Sequence, residues 1–256
     1  MLLNTLIRSG AQPEIPNPLT VARLNSTGTA GSTGSAGYNF SSFTFGDGQI
    51  LTGDVFVFAL LTRNASTGDP LSSFTMSING DSMTGLPLVN ASASADSPVI
   101  LCGYIVATKD YDDSVSAVSV SIDFGSGTEQ TDGTSNVAFR IRNTETSALY
   151  DSAYNTTSGS SPSISLNVDY VAKGYVIAMG VATPGNTLNN YIQITGSGSS
   201  ILSSYYNGSG FDDGTNDGYA ARVSSGNTTL SAANRELVFS YNNGTAELSA
   251  LALCFH

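Results

Sequence analysis

Charge is the first thing in short supply. Only 11% of the 256 residues are Asp, Glu, Lys or Arg, against roughly 25% in an average soluble domain. Lysine occurs only as Lys109 and Lys173, histidine only as His256, and tryptophan not at all. Helices favour Ala, Leu, Glu, Lys and Arg, so this shortage argues against a chain rich in exposed helix. A lone histidine at the last position argues against Ser–His–Asp and Cys–His catalysis, because a terminus rarely holds a base firmly. The charge that is present is acidic, with a formal net of −11. Binding to nucleic acid needs a stripe of Lys and Arg against the phosphates, and the densest basic pair here is Arg140 and Arg142. Nucleic acid is therefore not an expected partner.

Long apolar runs are also missing. None approaches the roughly 18 residues of a membrane span, and the apolar start MLLNTLI breaks at Arg8, before a signal-peptide core would be complete. The expectation is cytoplasmic synthesis with no membrane span. On that basis the N-x-S/T triplets at Asn64, Asn90, Asn155, Asn207, Asn227 and Asn243 are by-products of composition. Two cysteines cannot make a disulfide scaffold. Cys102 and Cys254 each sit in an apolar run, where a free thiol behaves as a small buried hydrophobe. A bridge between them stays open if their strands are neighbours.

What is present is Ser, Thr, Gly and Asn, interleaved with short Val, Ile, Phe and Tyr runs. Turn chemistry suits the former and strands the latter. VFVFALLT (55–62), VILCGYIVA (99–107), GYVIAMGVA (174–182) and LSALALCF (248–255) are almost continuously apolar, as in strands buried on both faces. FTMSIN (74–79), the second half of VSAVSVSIDF (115–124) and NVAFRIR (136–142) alternate, as in strands with one buried face. In the last of these, Val137, Phe139 and Ile141 are expected inward and the two arginines outward. ISLNV (164–168), YIQIT (191–195), ILSSYY (201–206), YAARVS (219–224) and LVFSY (237–241) complete the set. Asn242-Asn243-Gly244 reads as a hairpin turn between the last two strands. The only helical candidate is 230–235, too short and polar to matter.

The predicted fold is all-β: an antiparallel β-sandwich, jelly-roll-like, over residues 49–256, preceded by an extended N-terminal arm over 1–48. Pro13, Pro16 and Pro18 favour extended backbone in the arm, and NSTGTAGSTGSAG (25–37) has the composition of a tether. Such an arm would anchor the sandwich to a partner or lie across a neighbouring subunit.

Nucleotide, zinc-protease and hydrolase motifs are absent. Loop carboxylates at Asp110, Asp112 and Asp113, and at Asp212, Asp213 and Asp217, could do acid–base work on a glycan, but loop aspartates are more often turn formers. In FDDGTNDG, Asp213 and Asp217 with Thr215 and Gly218 resemble the start of a calcium loop. Ser224 stands where the bidentate Glu is needed, so the loop offers calcium only part of a ligand set, and no other cofactor is expected. Tyr205, Tyr206, Phe211 and Tyr219 could form a patch contacting sugar or protein; core burial explains such rings equally well.

The segments TGDVFVFALLTRN, VILCGYIVATKDYDDSVSAVSVSIDF and NVAFRIRN resemble β-sandwich virion structural proteins of tailed bacteriophages. The resemblance spans 53–143 and loosely the following strands; its motifs are Gly53-Asp54 before an apolar strand and Arg140 or Arg142 after one. It implies a non-enzymatic protein exposed on the virion, either a tail or fibre component or a capsid decoration. The arm would dock to other virion proteins and the sandwich would face outward, where it could contact a host surface glycan. A homo-oligomer, with a trimer favoured, would bury the arm. The competing readings are a stand-alone carbohydrate-binding lectin-like domain and a glycan-cleaving enzyme.

Overall fold

A computed structural model describes residues 19–22, 37–43, 49–64, 73–92, 94, 97–112, 118–123, 131–142, 149–170, 174–184, 192–196, 204–209, 218–223, 233–241 and 244–256. Among them there is no helix, and every strand pairing is antiparallel. The strands are β1 (Leu19–Ala22), β2 (Gly37–Phe43), β3 (Gln49–Ile50), β4 (Val55–Asn64), β5 (Thr75–Ile78), β6 (Asp81–Ser82), β7 (Thr84–Gly85), β8 (Val89–Asn90), β9 (Pro98–Val106) and β10 (Tyr111–Asp112). They continue as β11 (Val118–Asp123), β12 (Thr131–Ile141), β13 (Leu149–Ser160), β14 (Ser163–Tyr170), β15 (Tyr175–Pro184), β16 (Ile192–Gly196), β17 (Ser204–Ser209), β18 (Gly218–Val223), β19 (Ala233–Tyr241) and β20 (Thr245–Phe255).

The chain folds as two sandwiches of the same design. The first has an inner sheet ordered β1-β12-β4-β9-β7, with β8 also on β9, and an outer sheet ordered β2-β11-β5-β6. The second has an inner sheet ordered β13-β20-β15-β18-β17 and an outer sheet ordered β14-β19-β16. Setting β1, β2, β4, β5, β7, β9, β11 and β12 against β13 to β20 in turn reproduces one sheet order from the other. That order is the jelly roll, in which strands alternate between two antiparallel sheets through Greek-key connections. The expected fold class is thus present, and present twice.

The two inner sheets pack on each other. β4 lies against its equivalent β15, and β9 lies against β15 and β20. Three apolar cores result. Phe56, Phe58 and Leu60 face the first outer sheet with Met76, Ile78, Val120 and Ile122. Val55, Val57, Ala59 and Leu61, on the other face of the same strand, meet Ile177, Met179, Val181, Leu251, Leu253 and Phe255 between the sandwiches. Val176, Ala178, Leu248, Ala250 and Ala252 face the second outer sheet with Ile164, Leu166, Val168 and Phe239. The continuous apolar runs are therefore inner strands with both faces covered. The outer strand β14 alternates instead, exposed and buried by turns.

The expected boundary at 48/49 does not mark a break in the sheets. β1 and β2 lie before it, paired with β12 and β11, and Tyr38 and Phe40 belong to the first core. The helical candidate at 230–235 overlaps β19, whose residues from Ala233 pair with β14. Arg140 is 1% exposed, not outward as the alternation implied, because the second face of β12 is covered by the outer sheet and not by water. Cys102 lies in the core between the sandwiches and Cys254 in the second core; both thiols are free and buried.

Close packing leaves local signatures. A Cβ on Gly180 would meet Phe239 Cδ1 at 3.3 Å and Ile192 side-chain atoms at 3.4 Å, so the glycine permits the inner and outer sheets of the second sandwich to approach. Asn136, 1% exposed, shares the first core's face with its cross-strand partner Leu60, and neither atom of its carboxamide has a hydrogen-bond partner. Burying an unsatisfied amide costs about 1–3 kcal/mol. Asn136→Leu, nearly the same shape, should therefore raise stability by roughly that amount, read as a higher denaturant midpoint with unchanged slope.

Candidate functional surfaces

The residues singled out in the sequence are only partly within reach. Phe211, Asp213 and Asp217 lie outside the described residues, so the calcium loop is not placed. Tyr205 and Tyr206 fall in β17, opposite Arg222 and Ala221 of β18, and Tyr219 falls in β18 opposite Gly208. The backbone register thus brings three of the four aromatic positions into one two-stranded edge of the second inner sheet. Among the described residues no group of three or more His, Cys, Asp or Glu side chains could hold a metal ion.

The Gly53-Asp54 and Arg140/Arg142 motifs do meet. Gly53 adopts φ +91°, a left-handed conformation that suits glycine, and its N–H donates to the Ala107 carbonyl at 2.7 Å. The turn delivers Asp54 into the end of the first sandwich at 5% exposure. There its Oδ2 accepts from the Leu51 N–H at 2.8 Å and from Arg142 Nε at 3.1 Å, with Arg140 Nε 4.0 Å away. A buried carboxylate flanked by two guanidinium groups locks the loop before β4 to the end of β12. This is structural chemistry: the groups are packed against protein and hold the corner.

Beside it lies a second, more exposed network. Asp110 Oδ1 accepts from both the N–H and the Oγ1 of Thr52, at 2.7 and 2.8 Å. Those bonds, the backbone one first, hold its carboxyl below the ordinary range. A general acid needs the opposite shift, so Asp110 acts here as a turn clamp. Asp112 belongs to β10, paired with Gln49, and Asp113 lies outside the described residues. Asp81 accepts from the Tyr111 hydroxyl at 2.8 Å and sits 2.6 Å from Lys109 Nζ; the Lys109 contact, then Tyr111, lowers its pKa. Burial first, and the Asp81 bond second, push the Tyr111 phenol up to about 12 from 10.0. The folded state thus holds the phenolic proton more tightly than the unfolded chain. Its contribution is complete below pH 10.0 and is lost as pH rises toward about 12. Tyr111→Phe should flatten that alkaline loss in a stability-against-pH series.

At the far end of β4, polar groups stitch the sandwiches together. Ser249 Oγ donates to the Pro98 carbonyl at 2.8 Å, and Ser92 Oγ lies 3.4 Å from both Glu247 oxygens. Asn64 Nδ2 donates to the Ser92 carbonyl at 3.0 Å.

Among the described residues the exposed large hydrophobics are Leu51, Tyr150 and Tyr154. Both tyrosines stand on β13, an edge strand that no sequence signal marks, because its stretch LYDSAYNTTSGS lacks an apolar alternation. Along the same strand stand the hydroxyls and amides of Ser152, Asn155, Thr156 and Ser158.

These features define a tandem jelly-roll β-sandwich with a hydroxyl-coated surface. No protein-family model, curated protein or solved structure matches the chain.

Proposed function

We propose that this chain is a non-enzymatic structural protein on the surface of a tailed-phage virion, a tail or fibre component or a capsid decoration. It would be made in the host cytoplasm, with its N-terminal segment docking to other virion proteins. The observation that carries this reading is the paired jelly roll itself. Jelly rolls recur in viral capsid and lectin domains, and two of them fused through a shared apolar core make a block suited to repeated assembly. The support is by fold-level analogy, because function resides in sites and not in folds. The resemblance over 53–143, with the Asp54–Arg140–Arg142 corner that its motifs build, points the same way.

The test is removal of residues 1–18, which leaves β1 intact; removing all of 1–48 would also delete β1 and β2. The truncated protein should stay folded by circular dichroism yet be missing from purified particles. Incorporation at the wild-type level would sink the docking role.

A second reading, a carbohydrate-binding lectin-like domain, draws on Tyr150 and Tyr154 standing exposed among hydroxyl and amide side chains. Rings paired with such groups suit an amphipathic ligand. A glycan array with the purified chain separates the readings, since a stand-alone lectin must bind sugar without any particle.

A further inference from the structure

We infer that β13 is a docking edge for a second copy of this chain, with the two β13 strands pairing antiparallel about a two-fold axis. At 12 residues β13 is the longest strand, and it ends the second inner sheet, with β20 on one side. Among the described residues nothing pairs with its other side. Proteins normally guard such an edge with lysines, prolines, short length or bulges. β13 has neither Lys nor Pro, and its one register shift lies at the start, between Leu149 and Asp151.

Two hydrogen bonds reveal which groups point outward. The Ser152 N–H donates to its neighbour's Asp151 Oδ1 at 2.8 Å, and the Thr156 N–H to Asn155 Oδ1 at 2.9 Å. Backbone groups alternate in direction along a strand, so the Tyr154 N–H between them also points away from β20. Short local contacts of this kind are exchangeable for ladder bonds to another strand.

The occupant follows from charge and symmetry. The chain carries −11, so two copies repel over most of their surfaces. β13 contains one charged residue, Asp151, and its Oδ2 is turned back to accept from the Asp169 N–H at 2.6 Å. The next charged residue downstream is Asp169 itself, and upstream it is Glu145. Beyond Asp151 the edge is thus an uncharged strip on an acidic molecule, the place where an identical copy meets least repulsion. An antiparallel strand pair is self-complementary under a two-fold, as an isologous contact requires. Two registers overlap equally while keeping outward groups facing each other, one centred on Tyr154 and one on Asn155; ring contact selects the first, which sets Tyr154 opposite Tyr154 of the partner subunit and Ser152 opposite Thr156 of the partner subunit. Tyr154, 50% exposed alone, would pack ring against ring.

The inference does not depend on the virion reading, since it concerns the purified chain. Light scattering on the full-length protein at tens of micromolar should give a dimer, and Tyr154→Lys a monomer with an unchanged far-ultraviolet spectrum. Under mild oxidation Tyr154→Cys should cross-link to twice the chain mass, because directly opposed strand residues lie within disulfide reach, about 5.5 Å between Cα atoms. Thr157→Cys, on the opposite face of the strand, should not. A monomeric or trimeric wild type, a Tyr154→Lys dimer, or equal cross-linking at both positions would overturn the two-fold edge. A dimer lost in Tyr154→Lys but uncross-linked in Tyr154→Cys would overturn the register.

Discussion

Leu253→Asp should abolish folding of both sandwiches, not of one. Leu253 is fully buried in the core between them, with Met179, Val57 and Phe139 among the apolar side chains of that core. Truncation to alanine there should cost about 2–5 kcal/mol in lost transfer energy and cavity. A carboxylate with no partner adds a desolvation penalty of several kcal/mol, and the total rivals the ~5–15 kcal/mol by which whole domains are stable. The inner sheets have no solvent face to fall back on: without the shared core, Val55, Val57, Ile177 and Val181 would all meet water. Leu253→Ala, the milder change, should leave a folded protein whose single calorimetric transition moves down as one. Two transitions, of which only the second moves, would mean that the sandwiches are energetically independent.

The second large effect belongs to the corner. Asp54→Ala should destabilise the protein by about 3–5 kcal/mol, the cost of breaking a buried ion pair by removing one partner. Arg140, 1% exposed, would lose the carboxylate 4.0 Å from its Nε, and Arg142 would lose the 3.1 Å bond from its Nε. Arg140→Met keeps the volume and removes that charge, so it should cost less, and Asp54→Ala combined with Arg140→Met should cost less than the sum. Urea titrations of the three variants form a double-mutant cycle that reads the coupling directly. Strict additivity would show that the groups share a corner without interacting.

Both effects rest on strands that can be read from the residues alone. The runs at 55–62, 99–107, 174–182 and 248–255 fall in β4, β9, β15 and β20, the strands whose two faces are covered. The same runs also contained the information that a single sandwich cannot hold them. A two-layer sandwich gives each sheet a solvent face, so several doubly buried strands require further layers on the outside. β14, alternating cleanly through Ile164, Leu166 and Val168, is such an outer strand. Reading each run in isolation hid the duplication, which shows only when the strand orders are compared.

Other features were legible in the wrong sense or not at all. Arg140 lies in a stretch that alternates like a one-faced strand, because alternation reports the contrast between two faces and cannot say that both are covered. Tyr38 and Phe40 do alternate, but proline upstream and glycine around them gave the segment the look of an arm. β13 has no apolar face to betray it: its pairing with β20 is held by the ladder, and its own side chains stay largely half-buried or exposed. Nothing in the pattern of β13 therefore marks Tyr150 and Tyr154, whereas Tyr205, Tyr206, Phe211 and Tyr219 gather around an acidic, turn-rich loop. The Asp54 corner was visible only as two unlinked motifs, since 88 residues separate Asp54 from Arg142 and only the β4–β12 pairing brings their ends together.

The proposed role comes down to where the protein resides after assembly. Quantitative mass spectrometry of density-purified particles, compared with the particle-free soluble fraction of the same lysate, reads that location directly. The expected result is the full-length chain in the particles at a fixed ratio to the main shell or tail protein. Recovery from the soluble fraction alone, with none in intact particles, would contradict a structural place on the virion.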